Sequence, residues 1–382
     1  MYNLCILTPH FYPVRSSCSS LFKDLIKQLL KNDYKITIIT ISGTQDKIKI
    51  INTKKITYIG VKNKYLQSSN NYLRGIGDII SIMKIRNFYN KKNFTIYDQV
   101  IIYSPTIFWS ILLLKLKKKL VSLVLRDLYP KWLLDHKIIR KFSPSFLFLK
   151  VFELLLYFQT NRIYVQTKKD INYLSKYKNI LNFDASVLYN WIYLDNLLNK
   201  KNLRKNRKHI RFLFVGVLGL AQDHDLLFKI IQYCKINNLR STFFFIGAGT
   251  KKAELIKLTS NFKNVFFFEE IQLNKLDNAI QKCDVCISTL SKHFKSDNFP
   301  GKILRYMANN KPILVHSPNN EFLKSLIEKH SLGLYSSKEV DLFKNIQFIF
   351  SNFDLFKKNG CSGYDVAKKY FSSENAIEIL FK

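Results

Sequence analysis

Acidic side chains are scarce in this chain: 27 Asp plus Glu stand against 61 Lys plus Arg in 382 residues, a formal net charge of +34. A field that strong calls for a polyanionic neighbour, a general compositional bias, or both. Lys, Asn, Ile and Phe are abundant in all regions, which is the bias. The excess also leans to the first half, where residues 1–200 carry 32 basic and 11 acidic groups. Nucleic acid, anionic lipid and diphosphate would each satisfy it, so charge alone does not choose. Long apolar runs are missing too. The longest, Ser145–Phe158, is interrupted by Lys150 and Glu153 and falls short of the roughly 20 residues a membrane-spanning helix needs. The six cysteines, at 5, 18, 234, 283, 286 and 361, lack framework spacing, which excludes a disulfide scaffold and fits a reducing compartment. Cys283 and Cys286 form a C-x-x-C, but inside an apolar run that reads as a buried strand, with no second pair to complete a zinc site. No basic region or cleavage site precedes the strand-like Met1–Leu7, so a cytoplasmic location is expected. H-E-x-x-H, G-x-S-x-G and a full G-x-G-x-x-G are absent, which disfavours a zinc hydrolase, a serine hydrolase and a nicotinamide enzyme.

What is present is a packed globular chain, 47% hydrophobic with 31 Phe and 21 Tyr, long enough for two domains. Short β-branched runs alternate with helical periodicity from the start: Asn3–Thr8 as strand, Ser20–Lys31 as helix, Lys35–Ile41 as strand. The alternation continues through Ile56–Gly60, Ile76–Tyr89, Asp98–Tyr103, Val121–Arg126, the helix at 145–158 and Arg162–Val165. Residues 199–209 (KKNLRKNRKH and its flanks) are polar and aperiodic, as an interdomain connection is. A second cycle follows, with strands at Ile210–Val215, Ser241–Ile246, Asn264–Phe268, Asp284–Ser288 and Pro312–Val315, separated by helices. The expectation is an α/β protein of two Rossmann-like domains, 1–195 and 210–360, with a helical tail over 361–382 that returns to the first domain.

Phosphates bind where strands end and helices begin, and three segments of the second domain fall there. Gly216-Val217-Leu218-Gly219 follows a strand and leads through Gln222 into a helix; Gly247-Ala248-Gly249 follows the next strand. Glycine lets a backbone approach an anion and offer its N–H groups. In the third, Pro300-Gly301 turns the chain and Lys302 stands in the first turn of a helix, adding a point charge to the positive end of the dipole.

In this order the segments resemble glycosyltransferase family 4, particularly its branch of amino-sugar transferases in O-antigen and capsule assembly. Ile6–Pro13 is similar to that family's first strand and acceptor loop, Leu125–Pro130 to its R-D-x-x-P stretch, and Val187–Asn190 to the segment before its linker. Gly216–Gln222 and Gly247–Gly249 are similar to its phosphate loops, and Pro300-Gly301-Lys302 with Tyr306-Met307-Ala308 to its donor helix. The resemblance implies the GT-B architecture and a retaining, metal-independent transfer. The second domain would hold a nucleotide-diphosphate sugar, with uridine the favoured base. The first would present a lipid-linked saccharide acceptor, with peripheral contact to the inner face of a membrane.

The implied donor contacts are Gly216, Val217, Gly219, Gln222, Gly247, Gly249, Pro300, Gly301, Arg305 and Tyr306; Lys302, Asp297 and Asp127 are the implied catalytic groups. Lys302 and the amides of Gly216–Gly219 would neutralise the departing diphosphate. Asp127 would touch the sugar or the incoming hydroxyl. Four positions depart from the pattern. The family places two acidic residues eight apart where this chain has Asp297 and Arg305, it has Asn where Val217 stands, and it often has glycines where Ser16 and Ser17 stand.

Helix 145–158 is apolar on most sides and follows the basic Lys137, Arg140 and Lys141. It reads either as a core helix or as one lying in a membrane interface. Other readings of the chain are a nucleotide-amino-sugar 2-epimerase of the same fold, an inactive scaffold suggested by Arg305, and a basic nucleic-acid-binding protein. Only charge supports the last, for no recognition helix, zinc module or RNP-like strand is present.

Overall fold

The computed structural model describes residues 2–11, 14, 16–66, 68, 70–89, 96–113, 120–135, 137–194, 209–219, 222–291, 299–318 and 320–382. They form two compact units, Met1–Tyr193 with Ser373–Lys382, and Leu194–Ser372.

The first unit is built on an eight-stranded sheet, ordered β3-β4-β2-β1-β5-β6-β7-β8. In chain order these strands are β1 (Tyr2–Thr8), β2 (Tyr34–Thr40), β3 (Lys49–Asn52), β4 (Ile56–Gly60), β5 (Gln99–Tyr103), β6 (Leu120–Leu125), β7 (Arg162–Val165) and β8 (Asp184–Val187). Every pairing is parallel except that of β3 with β4. The central strands read as unbroken apolar runs because both faces are covered. In β1, Leu4 and Ile6 enter one core while Cys5 and Leu7 enter the other, the alternation a strand imposes. One core is covered by α1 (Ser17–Leu29), started by a capping box between Ser16 and Ser19. The other is covered by α2 (Asn71–Tyr89), α3 (Ser110–Leu113), α5 (Pro144–Phe158) and α6 (Lys168–Leu181), with the short α4 (Lys131–Asp135) preceding α5.

The second unit carries a six-stranded sheet, ordered β11-β10-β9-β12-β13-β14 and parallel throughout. Its strands are β9 (Ile210–Val215), β10 (Ser241–Ile246), β11 (Val265–Phe268), β12 (Val285–Thr289), β13 (Ile313–His316) and β14 (Gly333–Ser336). Between and after them run α7 (His224–Ile236), α8 (Lys252–Leu258), α9 (Leu273–Lys282), α10 (Gly301–Ala308), α11 (Glu321–Lys329), α12 (Glu339–Ser351), α13 (Phe353–Phe356) and α14 (Gly363–Phe371). Cys286 is buried within β12 and Cys283 just before it, both as free thiols. In each sheet the strand order reverses beside the first strand of the unit, at β1/β5 and at β9/β12. Ligands of open α/β sheets bind outside the carboxyl ends of the strands at that reversal.

The tail differs from the single returning helix expected. The chain is extended at Ser372, which ends α14 and separates it from α15 (Ser373–Phe381). Helix α14 stays in the second unit, where a Cβ on Gly363 would come within 2.5 Å of Met307 O on α10. Helix α15 belongs to the first unit. Its Ser373 N–H meets Ile192 O at 3.0 Å, Glu374 accepts from Gln28 on α1 at 3.0 Å, and Leu380 O accepts from Gln99 at 3.1 Å.

Candidate functional site

At the reversal in the second unit, β9 ends on Val215, whose N–H is held by the buried Tyr306 hydroxyl at 2.9 Å; that hydroxyl reaches back to Ile287 O on β12 at 3.5 Å. Tyr306 therefore positions the loop that follows rather than presenting its own polar atom. In that loop the amides alternate. Gly216 N–H donates to Ile246 O at 2.9 Å and Leu218 N–H to Ala248 O at 2.8 Å. Among the described residues the N–H groups of Val217 and Gly219 have no acceptor. The expectation that the whole stretch offers amides is thus corrected: two of the four serve the neighbouring loop.

The glycines of the second loop also have a structural reason. A Cβ on Gly247 would lie 2.1 Å from Gly216 O, and one on Gly249 2.2 Å from Leu218 O, with φ of +146° and +144°. They let the two loops pair, and the pairing occupies the carbonyls and amides just named. Gly216 is less crowded: a Cβ there would lie 3.6 Å from Lys302 Cε.

Lys302 completes the group. Its ammonium sits over the Phe214 ring, 3.7 Å from the centroid, and donates to Gln222 Oε1 at 2.8 Å. Burial draws its pKa down to about 7. Lys302 stands in the first turn of α10, which Pro300 opens without any side-chain cap, and a Cβ on Gly301 would meet nothing within 4 Å. An ammonium on an aromatic face, two amides without an acceptor among the described residues and an uncapped helix start are groups of the kind that bind anions, and Gln222 holds the cation in place.

Arg305 is engaged elsewhere. Its Nε donates to Asp277 Oδ1 at 2.8 Å and its Nη2 to Asp277 Oδ2 at 2.5 Å and Leu273 O at 3.4 Å, all on α9, while Asn309 adds a bond to the same carboxylate at 3.0 Å. Arg305, expected as a donor contact, is thus held by Asp277, and the guanidinium pins α10 to α9. Asp297 lies outside the described residues. Val217 points outward and is 61% exposed. One group of possible metal ligands, His224, Asp225 and Glu254, lies near the start of α7, where Glu254 also holds Lys251 at 2.7 Å.

Asp127 belongs to the first unit, just beyond β6, half-buried, with its carbonyl taking the Tyr129 N–H at 2.9 Å. Its neighbour Arg126 donates to Leu188 O at 2.6 Å and Tyr189 O at 3.4 Å, and so fixes the segment that follows β8. Near the β1/β5 reversal the structure adds residues that sequence reasoning had not singled out. Asp78 on α2 accepts from Asn63 at 2.7 Å and Thr106 at 3.1 Å. Burial lifts its carboxyl to about 6, against these bonds and Arg74. The Nδ1 of His10 is buried without a hydrogen-bond partner among the described residues, and burial together with Arg74 lowers its pKa. The signal that pointed here was the resemblance of Ile6–Pro13, in which His10 stands two residues past β1, to an acceptor loop.

Two sheets of this kind, each with polar groups beyond its reversal point, define the GT-B class of α/β protein, and solved structures agree. Sucrose-phosphate synthase from Thermosynechococcus elongatus superposes with a TM-score of 0.74 over 100% of this chain and 98% of that one, at 11% identity. A trehalose-6-phosphate protein from E. coli bound with UDP-2-fluoro glucose gives 0.71 over 99% and 98%, at 10% identity. Within that class, residues 195–349 match the model of the family described as glycosyl transferases group 1. A curated relative, the probable glycosyltransferase WbjE of Pseudomonas aeruginosa, is 23% identical over 222 residues, 55% of this chain and 54% of that protein. The chain thus matches about half the length of that relative. Among the described residues no helix is long and apolar enough to cross a membrane.

Proposed function

We propose that this glycosyltransferase moves a sugar, with retention and without a metal, from a uridine-diphosphate sugar to a saccharide carried on a lipid, at the inner surface of a membrane. The observation that carries the donor half is the Lys302 ammonium, seated on Phe214 beside the unpaired Val217 and Gly219 amides. As the sugar–oxygen bond breaks, negative charge gathers on the diphosphate, and a preorganised cation with fixed dipoles lowers the barrier most where that charge appears. A bound diphosphate also restores the charged form of a lysine that burial had brought near neutrality. The UDP-sugar bound by the E. coli structure supports uridine as the base. The WbjE relative and the basic first half of the chain support an acceptor on an anionic surface.

The acceptor half rests on the first unit. His10 and Asp78 stand beyond its β1/β5 reversal and Asp127 beyond β6, groups suited to orient a hydroxyl and receive its proton. The test is a panel of nucleotide sugars in thermal unfolding. A donor at 100 times its dissociation constant raises stability by about 2.7 kcal/mol. Lys302→Ala removes that gain while the unliganded midpoint stays. No stabilisation by any uridine or guanosine diphosphate sugar would favour a scaffold, a reading to which the Arg305–Asp277 pair lends weight.

A further inference from the structure

We infer that the face of the first unit formed by the turn 137–144 and helix α5 docks on an anionic lipid bilayer. The inference rests on the membrane contact proposed above and names the surface that makes it. Helix α5 buries Glu153, Leu156 and Tyr157 against the core. Its outer face carries Leu147, Phe148, Val151 and Phe158, which are 50%, 51%, 55% and 70% exposed. The two charges of the helix are turned away from that face and satisfied. Lys150 pairs with Glu153 and donates to the Tyr177 hydroxyl at 2.6 Å, while Tyr157 and Tyr173 donate to Glu153 Oε1 at 3.0 and 3.4 Å. The exposed side is left with no charge along its length. A contiguous apolar patch on a soluble unit marks a place of contact.

The turn before the helix sharpens the identity of the partner. Phe142 is 70% exposed at φ +63°, a conformation that bulky side chains avoid, so the fold presents an aromatic ring to solvent where a glycine or asparagine would sit more easily. The Lys141 ammonium lies 4.9 Å from the centre of that ring, and Lys137 and Arg140 are exposed in the same turn. The nearby carboxylate Asp135 is already paired with Lys131. An apolar stripe bordered by cations matches the boundary between acyl chains and anionic headgroups. A second copy of this chain is disfavoured, because a symmetric contact would set these cations against their own kind in a chain of net charge +34. Helix α2, which packs on the same core as α5, also exposes Ile76, Ile80 and Met83.

The full chain is to be floated with phosphatidylcholine vesicles, with and without phosphatidylglycerol, while UDP-sugar binding is followed by calorimetry. The expected result is binding that needs the anionic lipid, weakens with salt, and drops by about tenfold or more in the triple variant Phe142→Ser, Val151→Ser, Phe158→Ser. Donor affinity and thermal midpoint stay at the parent values in that variant. Lys137→Glu with Lys141→Glu is expected to remove the salt-sensitive part. Undiminished vesicle binding by the triple variant, or indifference to anionic lipid, overturns the inference. So does a dimer in sedimentation that the triple variant dissolves. Vesicle binding that stands in a chain unable to bind any UDP-sugar would instead overturn the donor reading and leave this one intact.

Discussion

Beyond the strand ends of the second unit stand an ammonium, unpaired amides and an uncapped helix, whereas beyond those of the first stand a carboxyl, an imidazole and a carboxamide. Both sets occupy the position where an open α/β sheet reverses its order, so the scaffold is shared and the chemistry is not. In the second unit burial acts on a cation, bringing Lys302 to about 7; in the first it acts on an acid, lifting Asp78 to about 6. Each is moved toward neutrality by burial. The difference suits a departing diphosphate on one side and a hydroxyl losing its proton on the other.

The largest effect that separates the two ends is expected from Lys302→Ala. Turnover should fall by about a hundred- to a thousandfold while the thermal midpoint holds. Steady-state kinetics on a correctly folded variant check it, and turnover within threefold of the parent would end the leaving-group assignment. Next comes the contrast between the glycine loops. Gly247→Ala drives a Cβ into Gly216 O and should destabilise the second unit by roughly 3 kcal/mol in urea unfolding. At Gly219 a Cβ would lie 3.5 Å from Val217 Cγ1, so Gly219→Ala should cost about 1 kcal/mol or less in stability. Equal losses at the two sites would mean that both loops are merely packed.

A smaller effect comes from pH. Donor binding raises the pKa of Lys302 from about 7, so the complex takes up a proton above neutrality. Affinity should fall by up to about tenfold for each pH unit above 7, the equivalent of 1.4 kcal/mol, and Lys302→Ala should flatten that slope. Asp78 acts on stability with the opposite reference. Its folded pKa lies above the unfolded value near 3.8, so the folded state binds the extra proton and the first unit loses stability as pH rises from about 4 to about 6. Asp78→Asn should remove a dependence on the order of 3 kcal/mol, measurable by thermal unfolding across that window.

The contrast extends to what could be read from residues alone. Strands such as β1, β5 and β9 were legible because burial on both faces leaves runs such as Leu4–Leu7 and Val100–Tyr103 without a polar break. Strand β3 was not, because Lys49–Asn52 is exposed along its whole length and its pattern is that of a loop. Helix α6 escaped notice although Thr167 and Asp170 form a capping box at its start; its polar surface hides the periodicity. Lys302 could be placed from the Pro300-Gly301 turn. The aromatic ring beneath it could not, since Phe214 is distant in sequence and reads as an ordinary core residue. For the same reason the packing of the second-loop glycines against the carbonyls of Gly216 and Leu218 could not be read from the sequence.

Arg305 is the residue that sequence and structure read most differently, and its variant is expected to have the smallest effect on chemistry. Its guanidinium and the Asp277 carboxylate are both partly accessible, with side-chain exposures of 16% and 20%, so the pair is neither a free surface bridge nor a sealed one. A double-mutant cycle with Arg305→Met and Asp277→Asn should give a coupling of about 1–2 kcal/mol in unfolding. Donor affinity should change by less than threefold in each single variant, because the pair joins α9 to α10 on contacts separate from those of Lys302. If Asp277→Asn instead weakens nucleotide-sugar binding by tenfold or more with stability preserved, the pair itself belongs to the donor site. The carboxylate absent at position 305 would then be supplied from α9.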